Sequence, residues 1–195
     1  MTKEQNKILE KILSWIHEDK IRDIIRKEMN NLPDYFWHVA ASSTGKYHPD
    51  YCLGEGGLFR HVAAACAIAH EMFNAITKYD FDETDQDIVI SSLLLHDGYK
   101  HGVTESEHTV HEHPKLMADH FHETYTVNAQ GMFEVYSFRN IESCIASHMG
   151  KWTTSKYSDV TLESPVTYLE NFVHYCDYLA SRKFIEVKLE DVFND

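Results

Sequence analysis

The segment Asp87–Leu95, Asp-Ile-Val-Ile-Ser-Ser-Leu-Leu-Leu, constrains the fold most. A helix that is apolar almost all round has no solvent face, so other elements must enclose it. The flanking sequence supplies those elements. Ile8, Leu9, Ile12, Leu13, Ile16, Ile21, Ile24 and Ile25 recur at three- and four-residue steps, which predicts one or two amphipathic helices over Lys3–Asn30. Pro33-Asp34 reads as a helix start with Tyr35, Phe36, Trp37 and Val39 turned inward. Residues 42–57 read as a loop. Helices are expected over Leu58–Tyr79, from Pro114 to about Tyr125, over Phe133–Met149 with Gly150 as its stop, and from Pro165 to about Lys183. Asp80–Asp85 reads as an acidic turn, and Phe184–Asp195 as a short strand or a tail. Strand signals are weak throughout, so the expected class is all-α, a helical bundle in a single domain over 1–195.

Composition narrows the function classes. A formal net charge of -13 repels a nucleic-acid backbone, which argues against a partner of long nucleic acid. It leaves a small phosphorylated substrate open, because bound divalent cations reverse the local sign in a carboxylate-rich site. Cys52, Cys66, Cys144 and Cys176 form no C-x-x-C pair, so neither a thiolate zinc site nor a disulfide framework is expected. No apolar run reaches the ~20 residues of a membrane helix. Met1–Glu10 is charged where a signal peptide is apolar, which gives a cytoplasmic location and no membrane partner as the expectation. The oligomeric state is left open.

The 14 histidines are informative by position. His61 lies one turn into an expected helix, His96-Asp97 closes the apolar helix, His113 precedes Pro114, and His148 precedes the Gly150 stop. Asp177 interrupts a core-facing helix and is costly to bury unpaired. It needs a metal, several donors, or an ion pair with Arg182 or Lys183. Mixed imidazole and carboxylate donors suit Mn, Fe, Ni, Co or Zn. His17, His38, His70, His101, His120, His122 and His174 are expected to lie outside such a site.

The order His61, His96-Asp97, Asp177 resembles the H…HD…D signature of the HD-domain metal-dependent phosphohydrolases. Glu55-Gly56-Gly57-Leu58-Phe59-Arg60-His61-Val62 is similar to that family's GGLL-x-H-T opening. His96-Asp97-Gly98-Tyr99-Lys100 is similar to its HD-I-G-K core, with Gly98-Tyr99 in place of Ile-Gly. Asp177-Tyr178-Leu179-Ala180-Ser181 is similar to its closing A-D-x-L-A segment. The resemblance covers an HD core over 45–185, with 1–32 as an N-terminal helical extension. His113 and His148 resemble the two further histidines of the dinuclear branch, H…HD…H…H…D. It implies His61, His96, Asp97 and Asp177 on one metal, Asp97 bridging, and His113 and His148 on a second. His111 is the alternative to His113, and a mononuclear site is the alternative to a pair.

Such a site implies a pair of divalent ions (Mn, Fe, Ni, Co, Zn or Mg) that lower the pKa of a bound water. It implies hydrolysis of a phosphoester or phosphoanhydride bond in a nucleotide or short oligonucleotide. Asp97 and Lys100 are the expected catalytic pair, Lys100 lying one turn on and facing a substrate phosphate. His48, Arg60, Lys100, Lys151 and Arg182 are the expected substrate contacts, with Lys115 as a further candidate. His48 sits in Tyr47-His48-Pro49, where related HD exoribonucleases carry a histidine pair. Tyr51, Phe59, Tyr99 and Trp152 are candidates to stack a base. Three other readings stay open: an HD-type 3'-5' exoribonuclease or phosphodiesterase on nucleic acid, a mixed-valent di-iron oxygenase, and a non-catalytic nucleotide-binding module.

Overall fold

The apolar segment forms the centre of the molecule. In the computed structural model, which describes residues 1–42, 45, 48–73, 75–76 and 80–193, Ile88, Val89, Ile90, Leu93, Leu94 and Leu95 have no solvent exposure. They belong to α4 (Glu83–Leu95), which packs against α2 (Asp19–Asn31), α3 (Gly57–Phe73), α6 (Gly131–Ser147) and α7 (Tyr168–Ala180). The bundle is completed by α1 (Lys3–Leu13), α5 (His113–Thr124) and α8 (Leu189–Phe193). Among the described residues there is no β-strand, and the fold is an all-α helical bundle. No helix of the described residues is long and apolar enough to cross a membrane.

Several boundaries differ from the sequence reading, each for a local reason. The N-terminal pattern splits into α1 and α2 because buried Asp87 accepts from the backbone N–H groups of His17 (2.7 Å) and Glu18 (2.9 Å) and pins the turn. Pro33-Asp34 opens a single 3-10 turn, Asp34–Trp37, with Tyr35, Phe36 and Trp37 buried as expected. The acidic turn is shorter than expected: Asp82 caps α4 by accepting from the Asp85 N–H, so the helix starts at Glu83. Buried Asp85 then accepts from the Tyr168 hydroxyl at 2.6 Å. Helix α7 starts at Tyr168 and not at Pro165, because Thr167 and Glu170 form a capping box there. The C-terminal segment is not a strand; it forms α8, whose Phe193 stacks on Trp15 with centroids 5.6 Å apart. The expected end of α3 at Tyr79 and the residue Tyr47 lie outside the described residues.

Gly57 explains how α3 starts where it does. A Cβ there would lie 2.1 Å from the Cys52 carbonyl oxygen, so only glycine lets the 3-10 turn Asp50–Cys52 press against the first turn of α3. That contact sets the position of His61 one turn later.

Candidate metal centre

Five helices deliver the six expected ligands to one place. His61 comes from within α3, His96 caps the C-terminus of α4 and Asp97 follows it. His113 is the first residue of α5, His148 caps α6, and Asp177 lies within α7. Three of the histidines use the same local device. Nδ1 of His96 donates to the Leu93 carbonyl (2.7 Å), Nδ1 of His113 to Val110 (2.7 Å) and Nδ1 of His148 to Ile145 (2.8 Å). Each acceptor lies three residues earlier in the chain. For His96 and His148 it is one of the last carbonyls of a helix, which lack an intrahelical donor. The bond orients the ring and leaves the Nε2 lone pair free to ligate.

Asp97 sits between two sets of donors. Its Oδ2 is 3.7 Å from His61 Nε2, 3.5 Å from His96 Nε2 and 2.6 Å from the Lys100 ammonium. Its Oδ1 is 3.0 Å from His113 Nε2 and 3.7 Å from His148 Nε2. Asp177 Oδ1 closes the first set, 2.9 Å from His61 Nε2 and 3.6 Å from His96 Nε2. Three overlapping groups of these atoms have the spacing to hold a metal ion: His61 with His96 and Asp97, His96 with His148 and Asp177, and Asp97 with His113 and His148.

The donor chemistry fits a cation. His61 Nε2, His96 Nε2 and Asp97 Oδ1 are buried and, among the described residues, have no partner in hydrogen-bonding geometry. Buried polar atoms are normally satisfied. His113 Nε2 and His148 Nε2 face each other at 3.3 Å while both Nδ1 protons point at carbonyls, which opposes two lone pairs. A positive charge between them resolves the conflict.

Electrostatics favour the metal-binding protonation state at four of these groups. Burial alone would raise the Asp97 carboxyl, but Lys100, His96, His113 and His148 hold it well below the usual range. His61 and His96 do the same for Asp177 against its burial. Burial pushes the His113 imidazole down to about 4 and lowers His148 as well, against the pull of Asp97. His96 goes the other way: the carboxylates of Asp97 and Asp177 outweigh burial and raise it. Ionised carboxylates and neutral imidazoles are the protonation states that bind a metal.

The other expected site residues are placed less uniformly. Lys100 is paired with Asp97, as above. His48 lies edge-on to His61 with ring centroids 5.6 Å apart, and burial, together with His61 and Lys100, pushes it down to about 4. Arg60 does not point at the cluster. Its three guanidinium nitrogens donate to the carbonyls of Tyr51, Leu53 and Glu55, so it braces the loop before α3. Lys115 pairs with Asp119 on the surface of α5. Arg182 stacks on Tyr178, and Asp177 is turned toward His61 and His96, which take the place of the alternative Asp177–Arg182 pair. Lys151 lies over the Trp152 ring. His111 bonds the Thr153 carbonyl at 3.3 Å, whereas His113 enters the cluster.

Sequence reading missed a supporting residue. The Tyr35 hydroxyl donates to the Gly102 carbonyl (2.7 Å) and accepts from the His101 N–H (3.2 Å), anchoring the turn that carries Asp97 and Lys100. Tyr35 was legible only as a core aromatic, since its partner lies 67 residues away.

No family model, curated protein or solved structure matches this chain.

Proposed function

We propose that this chain is a metal-dependent phosphohydrolase of the HD type that cleaves a phosphoester or phosphoanhydride bond of a nucleotide or short oligonucleotide. The observation that carries the reading is Asp97: one oxygen faces His61 and His96, the other faces His113 and His148, and Lys100 sits against the first. His61, His96, Asp97, His113, His148 and Asp177 would hold divalent ions, which when bound would lower the pKa of a water and offset charge on phosphoryl oxygens. Asp97 holds the two donor sets in register. The three Nδ1 bonds to carbonyls keep the imidazole lone pairs aimed inward. Asp177 and Lys100, with side chains 18% and 13% exposed, form the solvent side of a cluster whose other ligands are at most 1% exposed. A substrate phosphate therefore arrives at Lys100, whose ammonium has two N–H donors beyond the one directed at Asp97. The net charge of -13 favours small nucleotides over oligomers.

The test uses metal-stripped protein reloaded with Mn, Fe, Ni, Co, Zn or Mg. It is offered nucleoside mono-, di- and triphosphates, cyclic nucleotides, dinucleoside polyphosphates and short RNA and DNA. Turnover of small nucleotides with at least one metal, lost in Asp97→Ala, is the expected result. Full activity in Asp97→Ala would sink the catalytic assignment, and turnover of oligomers alone would overturn the size preference.

Four imidazoles against two carboxylates also suit iron, which favours one second reading, a mixed-valent di-iron oxygenase. Oxygen uptake coupled to substrate loss, with no phosphate ester cleaved, selects it over hydrolysis.

A further inference from the structure

Between α7 and the segment that follows α6 lies a cleft of about 490 Å³, a size typical of small-molecule sites, lined by none of the six clustered residues. Its walls include Gly150, Trp152, Pro165, His174, Tyr175 and Tyr178. Trp152 and Tyr178 stack with ring centroids 5.6 Å apart and planes 16° apart. The Arg182 guanidinium lies 4.2 Å from the Tyr178 centroid, and the Lys151 ammonium 5.1 Å from that of Trp152. Trp152 remains 44% exposed and Tyr175 53%. Aromatic surface left in water and flanked by two cations, in a chain of net charge -13, suits a flat ligand that carries negative charge.

The cleft shares its frame with the metal ligands. His174 Nδ1 bonds the backbone carbonyl of His148 at 2.8 Å, and Tyr178 follows Asp177 directly on α7. Gly150 makes this junction possible. Its φ is +62°, and a Cβ there would lie 2.2 Å from the His174 ring. Asp177, the most exposed of the six residues, lies on the same helix that forms a wall of the cleft.

We propose that this cleft is the base subsite of the nucleotide substrate, with the base stacked on the exposed surface of Trp152, which Tyr178 backs, and with Lys151 and Arg182, which lie over the two rings, supplying positive charge beside it. The assignment rests on the phosphohydrolase reading and names the part of the substrate that the metal cluster does not hold. Stacking on an aromatic platform accepts any base, because every base has a π-face. The subsite therefore predicts affinity for nucleosides with little discrimination among them.

The test follows the indole N–H signals of zinc-loaded protein by NMR during titration with adenosine, cytidine, AMP and ribose 5-phosphate. Adenosine, cytidine and AMP are expected to shift the Trp152 indole and the Gly150 amide, and ribose 5-phosphate to leave the indole in place. Trp152→Ala is expected to weaken AMP binding by about tenfold, and Trp152→Phe to retain most of the affinity. If Trp152→Ala does not fold, the wild-type shifts decide alone. AMP binding that leaves Trp152 and Gly150 unmoved overturns the subsite, as does the absence of nucleoside binding. Trp152 signals that broaden with protein concentration alone would overturn it too, making the face an interface between copies. Shifts at Trp152 without cleavage of any phosphoester would sink the hydrolase reading and leave the cleft a nucleoside-binding site without a reaction. Cleavage of nucleotides with no shift at Trp152 would overturn the subsite and leave the hydrolase reading standing.

Discussion

At the scale of single residues, Asp97 carries the most. Replacing it by alanine removes the one group shared by both donor sets and leaves Lys100 without its partner. Asp97→Ala is expected to lower bound metal, read by elemental analysis, and to reduce turnover at least about 100-fold, since losing even an outer partner of a metal ligand costs ~10–100-fold. His113 offers a pH test. Burial lowers its imidazole to about 4, below the ~6.5 of an unfolded histidine, so the folded chain binds fewer protons than the unfolded one between those values. Its contribution to stability is therefore present above about pH 6.5 and lost as pH falls toward 4. In metal-free protein the His113 ring signals are expected to stay at neutral positions down to about pH 5; a midpoint near 6.5 would contradict the environment described. These residues could be singled out in the sequence because His and Asp there close helices or interrupt apolar faces, and the structure brings them together in groups that could hold a metal ion. The expected His113, and not the alternative His111, enters the cluster, because two residues of separation at a helix start send the two side chains in different directions.

At the scale of elements, caps and close approaches position the ligands. Glu170, at the third position of α7, accepts from the Ser143 hydroxyl and from the N–H groups of Val166 (2.6 Å) and Thr167 (2.9 Å). These bonds outweigh burial and hold its carboxyl below the usual range. A depressed carboxyl stabilises the fold above its unfolded value and loses that contribution as pH falls through the folded one. Glu170→Gln is expected to cost about 1–3 kcal/mol at pH 7 in chemical denaturation, with the gap to wild type closing as pH falls below about 4. Gly57→Ala is the sharper structural test. Its Cβ would meet the Cys52 carbonyl, so the turn and α3 must part, and weaker metal binding is expected alongside lower stability. Metal affinity equal to wild type would show that His61 is positioned by something else. Neither device was legible beforehand. The capping box was hidden by Pro165, a stronger helix-start signal three residues before the true start, and the role of Gly57 depends on a backbone contact across the loop.

For the whole molecule, one consequence dominates. The six clustered residues come from α3, α4, α5, α6 and α7 or the turn after α4, so a metal held by them would cross-link most of the bundle. Binding only the folded state stabilises it by about 2.7 kcal/mol at a hundredfold excess over Kd. For a chain of this size that corresponds to a rise in Tm of ~5–10 °C, reversed by a chelator. A Tm indifferent to both would contradict a site assembled from five helices. The all-α class and the enclosed α4 were determined by the sequence itself, because helical periodicity is a property of neighbours along the chain, whereas the meeting of six His and Asp side chains spread over 61–177 is a property of the fold. The pairing of each Asp97 oxygen with its own imidazoles, the diversion of Arg60 to the loop and the aromatic cleft against α7 were decided only by tertiary structure. Each depends on groups far apart in sequence meeting at distances of a few ångströms, and no spacing along the chain encodes which of them will meet.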